Sequence, residues 1–219
     1  MRVGLISDVH GNLPALEAVL ADMPPVDAVL SAGDTVGYYP WPGACVDAMI
    51  ERAVPSVMGN HDRAVVGATP FAFRGSAQAG IAHAKEHLEA EQVAWLRDLP
   101  DDRVALDGRV RVVHGHPRDP DRYTYPEEVT GAILMDEPVL VLGHTHVQFE
   151  KAVEGGLVVN PGSVGQPRDG DPRAAYAVLD PEAREVALRR VAYDVERTQA
   201  AVHEAGLPAS LARRLDEGR

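Results

Sequence analysis

The chain has 219 residues, of which 45% are hydrophobic and 25% are charged, and its formal net charge is -12. This length and composition are typical of one globular domain, predicted over residues 1–219, and no apolar run reaches the ~18 residues that a membrane helix requires. The acidic excess opposes nonspecific binding to long nucleic acids through a broad basic face, so they are not expected as partners.

The compartment is predicted from the N-terminus and the cysteine count. The opening MRVGLISDVHGN has no signal-peptide hydrophobic segment, because Asp8 and His10 interrupt it. Cys45 is the single cysteine, which fits a reducing compartment and excludes a disulfide scaffold. We therefore expect a cytoplasmic protein with no membrane partner, and a chain of this size is compatible with a symmetric homodimer.

The predicted elements change in character along the chain. The first half has apolar runs that predict strands at 3–6, 28–31 and 56–58, and periodic patterns that predict helices at 14–23, 43–53 and 76–99. The second half is rich in β-branched residues, with strands predicted at 109–113, 139–142, 149–153, 157–159, 174–179 and 185–191, and closing helices at 195–205 and 209–215. The β-α-β-α-β opening is typical of a largely parallel sheet, and two packed sheets with helices outside would use every element.

Polar clusters rich in histidine follow several of these strands. They are Asp8-Val9-His10, Gly33-Asp34, Gly59-Asn60-His61-Asp62, His114-Gly115-His116 and Gly143-His144-Thr145-His146. Residues just beyond the carboxyl ends of strands in an open α/β sheet line its ligand crevice, so separate clusters can converge. In extended backbone, residues two apart share a face, so the first and last clusters could each clamp one ion. Imidazole, carboxylate and amide ligands without thiolate suit Mn, Fe, Zn, Co or Ni.

In this order and spacing, the five clusters resemble the signature of the calcineurin-like metallophosphoesterases, especially the small single-domain phosphodiesterases of bacteria and archaea. The turn Asn160-Pro161-Gly162-Ser163 is also similar to one that these small members carry. The resemblance implies an α/β fold in which two mixed β-sheets, flanked by helices, form a four-layer sandwich. It further implies a phosphoric ester hydrolase with two divalent metal ions, with manganese expected first.

The resemblance also implies a role for each matching residue. The first metal would bind Asp8, His10 and His146, the second would bind Asn60, His114 and His144, and Asp34 would bridge the two. His61 would lie beside the phosphate as the proton donor, Asp62 would orient its ring, and Asn60 would help to stabilise the phosphoryl charge. His116 stands where Ser or Thr is usual, and it is either a substrate contact or a tolerated neighbour.

Elementary chemistry agrees with these implied roles. Two divalent ions can lower the pKa of a bound water to about 7, which would supply a bridging hydroxide as the nucleophile. A histidine that protonates the departing alkoxide contributes about 10²–10⁴-fold. We expect small phosphodiesters as substrates, with cyclic or linear nucleotides among them. A phosphomonoesterase or protein phosphatase with the same centre, and a non-catalytic interaction scaffold of this fold, stay open as alternatives.

Substrate contacts are predicted from two further groups of residues. Tyr38, in a cluster with Tyr39 and Trp41, could form a wall on which a nucleobase stacks, or the cluster could pack its own loop. Arg168, like Arg118 and Arg122, is a candidate to bind a non-reacting phosphate oxygen. Surface ion pairing is the alternative, which the interleaved acids Asp169 and Asp171 favour for Arg168.

A competing motif lies in the predicted helix 76–99. His83-Ala84-Lys85-Glu86-His87 fits the H-x-x-E-H pattern of inverted zinc peptidases. It has no evident third ligand nearby, and its Ala- and Glu-rich surroundings are typical of a solvated helix face. We therefore predict no metal site there.

Overall fold

The computed structural model describes residues 1–67, 69 and 73–219. In chain order, the strands of the described residues are β1 (Val3–Ile6), β2 (Ala28–Ser31), β3 (Asp102–Ala105), β4 (Val110–Val113), β5 (Val139–Val141), β6 (Phe149–Val153), β7 (Gly156–Asn160), β8 (Ala174–Asp180) and β9 (Glu185–Val191). The helices are α1 (Leu13–Asp22), α2 (Pro42–Glu51), α3 (Asn60–Val65), α4 (Gly75–His87), α5 (Ala90–Arg97), α6 (Val195–Glu204) and α7 (Ala209–Glu217), with short 3-10 turns at Pro126–Glu128 and Gly131–Ile133. None of these helices combines the length and the hydropathy needed to cross a bilayer.

The strands form two mixed sheets. The first has the order β2-β1-β8-β9, in which β1 runs parallel to β2 and antiparallel to β8. The second has the order β3-β4-β5-β7-β6, in which β4, β5 and β7 run parallel and both edge strands run antiparallel to their neighbours. The predicted α/β architecture of two mixed sheets flanked by helices is confirmed.

Alternation along the strands divides their side chains between an inner core and two outer faces. Leu5 of β1, Val112 of β4 and Val141 of β5 are buried together between the sheets. Ile6 belongs to the opposite face, where α1 and α2 cover the first sheet. Leu140 belongs to the outer face of the second sheet, which packs against the 3-10 turns. Each fully buried aliphatic side chain contributes about 1.5–3 kcal/mol, so this core stabilises the sandwich that carries the loops at the strand ends.

The helices α6 and α7 form a hairpin against the loop that follows β2. Tyr38 and Tyr39 of that loop are buried with Val202 of α6 and Leu211 of α7. The hydroxyl of Tyr39 donates to the carbonyl of Leu211 across 3.4 Å. The hairpin therefore covers one side of the loop that carries Asp34.

The predicted elements differ from the structure at several places. The first sheet is mixed rather than largely parallel, because β8 returns antiparallel beside β1. Residues 56–58 form only an isolated parallel bridge, Ser31 to Ser56, because the chain turns at Gly59 into α3. The predicted helix 76–99 is two helices, since the backbone is extended at Leu88 and Glu89 between α4 and α5. The strand β3 and the helix α3 were not predicted, because both are short and β3 lies at a partly exposed edge.

Candidate metal centre

The candidate ligands lie where strands of both sheets end. Asp8 and His10 follow β1, Asp34 follows β2, Asn60 begins α3, His114 follows β4, and His144 and His146 follow β5. The strands β1 and β2 run parallel in one sheet, and β4 and β5 run parallel in the other. Their carboxyl ends therefore bring ligands from distant parts of the chain into one crevice.

Five of these residues adopt the left-handed backbone conformation, which non-glycine residues rarely occupy: Asp8 (φ 54°), His10 (φ 54°), Asp34 (φ 55°), His144 (φ 68°) and His146 (φ 60°). Each such residue strains the backbone by about 1–3 kcal/mol, and the surrounding structure must hold it there. Hydrogen bonds between neighbouring loops do so, for example from the Asp8 amide to the Gly33 carbonyl at 2.9 Å. Strain of this kind concentrates at functional sites.

Three imidazoles are oriented in the same way, because the Nδ1 atom of each forms a hydrogen bond with a backbone carbonyl oxygen. The Nδ1–O distances are 3.2 Å from His10 to Val36, 2.7 Å from His114 to Ala32 and 2.5 Å from His146 to Gln166. A carbonyl oxygen only accepts hydrogen bonds, so the proton of each neutral ring lies on Nδ1. The Nε2 lone pair is then directed away from the carbonyl and is available to a cation. A backbone carbonyl behind the imidazole is the usual support of a metal-binding histidine.

The first group of ligands comprises Asp8, His10 and His146, all buried. The Nε2 atoms of His10 and His146 lie 3.0 Å apart, and Oδ1 of Asp8 lies 3.6 and 3.3 Å from them. Asp8 Oδ1 is buried without a hydrogen-bond partner among the described residues. Two lone pairs and an unpartnered carboxylate oxygen at such distances repel one another unless a positive charge lies among them. These residues therefore fit a metal ion.

The second group is centred on Asp34. Its Oδ2 atom lies 3.7 Å from Nε2 of His10 and 3.4 Å from Nε2 of His114, so one carboxylate oxygen faces histidines of two different clusters. Asn60 Oδ1 lies 3.0 Å from Nε2 of His114. A Cβ atom on Gly59 would lie 1.9 Å from Asp34 Oδ1, so glycine is required for the carboxylate to lie this close to the start of α3. Asp34 therefore lies between the two groups, and its role as a bridging ligand stays a prediction.

His144 is oriented differently from the other imidazoles. Its Nε2 atom is the one that donates to a carbonyl, that of Asp121 at 3.0 Å, which leaves the Nδ1 lone pair available. Its backbone amide donates to Asp8 Oδ2 across 3.1 Å, and its ring centroid lies 4.7 Å from that of His114. His144 is absent from the three compact groups of possible metal ligands found among the described residues. Its predicted role as a ligand of the second metal stays a prediction.

The charges of the centre also favour cations. Burial opposes the ionisation of Asp8, yet the neighbouring His146 and His10 hold its pKa well below the ordinary range. Burial, aided by Arg168, lowers the pKa of His146 to about 4, so that ring is neutral at neutral pH. His114 is the exception, since burial is outweighed by Asp34 and its pKa is raised to about 9. A positive charge is therefore favoured beside Asp34, whether a proton or a metal ion supplies it.

His61 lies against this group of ligands, but Asp62 does not orient it as expected. The His61 ring centroid is 4.8 Å from that of His10, and its Nδ1 atom is buried without a hydrogen-bond partner among the described residues. Both oxygens of Asp62 instead accept backbone amides, those of Val36 at 3.1 Å and Gly59 at 3.1 Å. Asp62 therefore caps α3 and joins it to the loop after Asp34, because backbone amides at a helix start need acceptors. His61 also lies within 4.8 Å of His10 and Asp34 as a possible metal ligand.

The aromatic cluster after Asp34 does not form an open wall. Tyr38 and Tyr39 are buried, and Trp41 is partly covered by the guanidinium of Arg197 at 5.6 Å. The Tyr38 ring does lie beside the centre, with its centroid 4.7 Å from that of His10 and 4.5 Å from that of His61. Of the two interpretations of this cluster, packing of the loop is the one that the burial supports.

Arg168 lies beside the centre without a carboxylate partner among the described residues. Its guanidinium donates to Tyr38 OH at 3.1 Å and to Gln166 Oε1 at 2.8 Å, and its backbone amide donates to the carbonyl of His146 at 3.1 Å. Ion pairing with Asp169 and Asp171 was the alternative, but those acids pair with Arg190 and Arg173 respectively. The Arg168 charge is therefore available to an anion at the edge of the centre.

His116 and the neighbouring arginines lie in a different place. His116 lines a surface pocket together with Arg118 and Arg122, and its Nδ1 atom accepts the backbone amide of Arg118 at 3.1 Å. Arg122 pairs with Glu128 across 3.1 Å. In the described part of the chain, His116 makes no hydrogen bond or ring contact with a candidate ligand. Its role as a substrate contact stays a prediction, and this placement favours the interpretation as a tolerated neighbour.

Several residues that support the ligands were not predicted individually. Ser7 Oγ donates to Asp8 Oδ2 at 2.6 Å, and Ser163 Oγ donates to the Asp8 carbonyl at 2.7 Å. Asn160 Nδ2 donates to the carbonyl of Gly143 at 2.8 Å and to the hydroxyl of Thr145 at 3.0 Å, which fixes the turn that carries His144 and His146. The resemblance of the turn 160–163 was the available signal, and its purpose depends on contacts that are distant in sequence.

The motif from His83 to His87 lies on α4, away from these ligands. The two rings stack with centroids 3.9 Å apart, and His83 Nε2 faces the carbonyl of Pro40 at 3.3 Å. Neither histidine belongs to a compact group of possible metal ligands in the described ranges. The absence of a metal site on this helix stays a prediction.

Known proteins are similar to this chain over nearly its whole length. A family model described as "Calcineurin-like phosphoesterase superfamily domain" matches residues 1–184. A protein of Methanocaldococcus jannaschii, MJ0912, is 31% identical over 239 aligned positions, covering 99% of this chain and 98% of that protein. The phosphodiesterase YfcE of Escherichia coli K12 is 28% identical over 182 positions, covering 82% of this chain and 88% of YfcE.

A solved structure is similar over the complete fold. The crystal structure of a metallophosphoesterase from Sphaerobacter thermophilus superimposes with a TM-score of 0.88 at 39% sequence identity, covering 100% of this chain and 99% of that one. The hairpin of α6 and α7, which lies beyond the residues matched by the family model, is therefore included in this similarity.

Proposed function

We propose, from the premise that this chain belongs to the calcineurin-like phosphoesterase superfamily, that it is a hydrolase of small phosphodiesters with a dinuclear metal centre. One observation carries the proposal most directly. Asp34 Oδ2 faces Nε2 of both His10 and His114, at 3.7 and 3.4 Å, so a single carboxylate can serve two cations. The name of the relative YfcE supports the diester class.

The family implies divalent metal ions, and we assign their ligands from the geometry and the resemblance together. The first ion would be held by Asp8, His10 and His146, the second by Asn60, His114 and His144, and both by Asp34. When bound, such ions supply a water of lowered pKa and Lewis-acid polarisation of the phosphoryl oxygens. We expect manganese first, and iron, zinc, nickel or cobalt would suit the same nitrogen and oxygen ligands.

The protein's own residues would bind and orient the ester. The backbone amide of Arg168 is bonded to the His146 carbonyl and its guanidinium lies against the Tyr38 hydroxyl, from where it can donate to a non-reacting phosphoryl oxygen. Asn60 can donate from its amide nitrogen when its oxygen faces a cation. The buried Tyr38 ring closes the side of the centre next to His10 and His61, which excludes water from that side. The anion is attracted to this crevice although the chain as a whole has a net charge of -12.

His61 would donate a proton to the leaving group. Burial, the largest influence, lowers the pKa of His61 well below its ordinary value, so the free site holds a neutral ring with one N–H. A phosphate dianion or monoanion beside the ring would favour the protonated form and so prepare it for donation. Asp62 contributes by fixing the start of α3, from which His61 projects.

The test is a panel of phosphate esters combined with metal analysis. We expect turnover of bis-para-nitrophenyl phosphate with at least one of Mn, Fe, Co, Ni or Zn, and faster turnover than of para-nitrophenyl phosphate. Asp8→Ala should lose metal and activity, whereas His61→Ala should keep metal and lose about 10²–10⁴ in rate. His203→Ala, which removes an exposed histidine on α6, is the matched control and should behave as the wild type.

Distinct outcomes separate the alternatives. Preference for the monoester would favour a phosphomonoesterase, and activity on phosphoprotein would favour a protein phosphatase. Absence of hydrolysis with every metal, together with metal content near zero, would favour a non-catalytic scaffold. The acidic net charge supports small esters over long nucleic acids as substrates.

A further inference from the structure

Two exposed tyrosines lie at the rim of the metal centre. Tyr123 and Tyr125 are 46% and 40% exposed, and among the described residues they are the aromatic ones with large exposed hydrophobic surface. Their rings are nearly parallel, 13° apart, with centroids separated by 6.4 Å. They form an exposed pair of nearly parallel rings, here called the Tyr123 platform, that belongs to none of the hydrophobic core clusters.

The platform is in direct contact with a candidate metal ligand. The Tyr123 ring stacks on the imidazole of His144 with centroids 3.9 Å apart and planes 24° apart. The backbone of His144 is in turn bonded to Asp8 Oδ2 across 3.1 Å. The imidazole of His144 therefore lies between the platform and the centre that would hold the phosphate.

The segment that carries the platform is held by three hydrogen bonds, one of which involves a candidate metal ligand. The carbonyl of Asp121 accepts from His144 Nε2 at 3.0 Å, and the carboxylate of Asp121 accepts from Arg63 at 2.7 Å. The backbone amide of Tyr125 donates to Glu128 Oε2 at 3.1 Å. A surface held in this way loses little conformational entropy when a ligand binds, which favours recognition.

The chemistry of such a surface identifies the group that it fits. Aromatic side chains bind a planar base through its π-face, and each stack contributes about 1–3 kcal/mol without selecting one base. A protein partner would need several hundred square ångströms of surface on its side, far more than two side chains offer. A ligand that carries both a planar ring and a nearby phosphate can therefore contact the platform and the centre at the same time.

We propose that the Tyr123 platform stacks the nucleobase of a nucleotide whose phosphate ester lies at the metal centre, and that Tyr123 is a specificity-determining residue. This inference rests on the proposed function and names its substrate class. The stacking surface expected at Tyr38 and Tyr39 is thus provided by a different segment, because those rings are buried by the α6–α7 hairpin. Nucleotide esters are then preferred over esters of the same charge that lack a planar ring.

The test compares two ligands that differ only in the base. Calorimetry on the metal-loaded protein measures the dissociation constants of adenosine 5′-monophosphate and ribose 5-phosphate. We expect the nucleotide to bind about 5- to 150-fold more tightly, which corresponds to 1–3 kcal/mol of stacking. Tyr123→Leu should reduce this ratio to about 2-fold or less, because leucine keeps apolar area but has no π-face, whereas Tyr123→Phe should preserve it.

Several results would overturn the inference. These are a wild-type ratio near one, a ratio unchanged in Tyr123→Leu, or an equal loss of affinity for both ligands, which would indicate that Tyr123 only supports His144. A thermal midpoint of Tyr123→Leu close to that of the wild type verifies that the variant is folded. Hydrolysis of bis-para-nitrophenyl phosphate, measured separately, reports on the proposed function, so failure of one idea is distinguished from failure of the other.

Discussion

Replacement of Gly37 by alanine should displace His61 while leaving the metal ligands in place. A Cβ atom on Gly37 would lie 2.5 Å from Nδ1, 2.9 Å from Cγ and 3.0 Å from Cβ of His61. Carbon atoms in good contact are about 3.5–4.0 Å apart, so the imidazole would have to move by about 1 Å. A displacement of that size in a reacting group costs about 10²-fold in rate. We therefore expect kcat of Gly37→Ala to fall about 100-fold.

A matched variant separates this displacement from backbone strain. Gly37 has φ +137°, and Gly108, in the turn between β3 and β4, has φ +86° with no atom within 4 Å of its Cβ position. Alanine at either position would strain the backbone by about 1–3 kcal/mol. In a chain of this size each kcal/mol lowers the thermal midpoint by about 2–4 °C. Gly108→Ala should show only the loss of stability and keep its activity.

The assay measures kcat and KM for bis-para-nitrophenyl phosphate, bound metal and the thermal midpoint of both variants. Activity of Gly37→Ala within about threefold of the wild type would refute the catalytic placement of His61, since about 100-fold is expected from the displacement. Loss of metal in Gly37→Ala would show instead that His61 is a ligand, in the group that it forms with His10 and Asp34.

Three further predictions follow from separate parts of the structure. Arg168→Gln should raise KM about 10-fold or more, because a hydrogen bond to a charged group contributes about 1.5–3 kcal/mol, whereas Arg213→Gln, which removes an exposed arginine on α7, should not change KM in the same steady-state assay. Burial raises the pKa of the Cys45 thiol, so a thiol reagent should leave the native protein unlabelled at pH 8 and label it fully in guanidinium chloride; rapid native labelling would contradict the burial. Metal at 100 times its dissociation constant should add about 2.7 kcal/mol to the free energy of unfolding, which calorimetry before and after chelation measures; an unchanged midpoint would contradict the assignment of Asp8 and Asp34 as ligands.

The residue types and their order were sufficient to predict which polar side chains lie close together at the strand ends. Short apolar strands are recognisable locally, and the polar residues that end them must lie at the sheet edge. The clusters containing Asp8, His10, Asp34 and His114 could therefore be expected to converge before any strand order was known. In the structure His10 lies within 4 Å of both Asp8 and Asp34, and His114 lies within 4 Å of Asp34.

The partners of side chains were decided by tertiary structure. Asp62 was expected to orient His61 but caps α3, and Arg168 was free of the acids beside it in sequence because Arg190 and Arg173 bind them. Proximity along the chain does not determine which of several acceptors a long side chain reaches. That choice depends on which loops the sandwich brings together.

The exposure of a side chain was the property that could least be predicted without the tertiary structure. Tyr38 and Tyr123 are the same residue type in loops that follow strands, and nothing local distinguishes a buried ring from an exposed one. The α6–α7 hairpin, from the far end of the chain, covers Tyr38, whereas Tyr123 remains open beside His144. The sequence alone determined which chemical groups meet at the centre, because strand ends and ligand types are local properties. Only the tertiary structure decided which aromatic surface faces a substrate, because burial is set by segments distant in sequence.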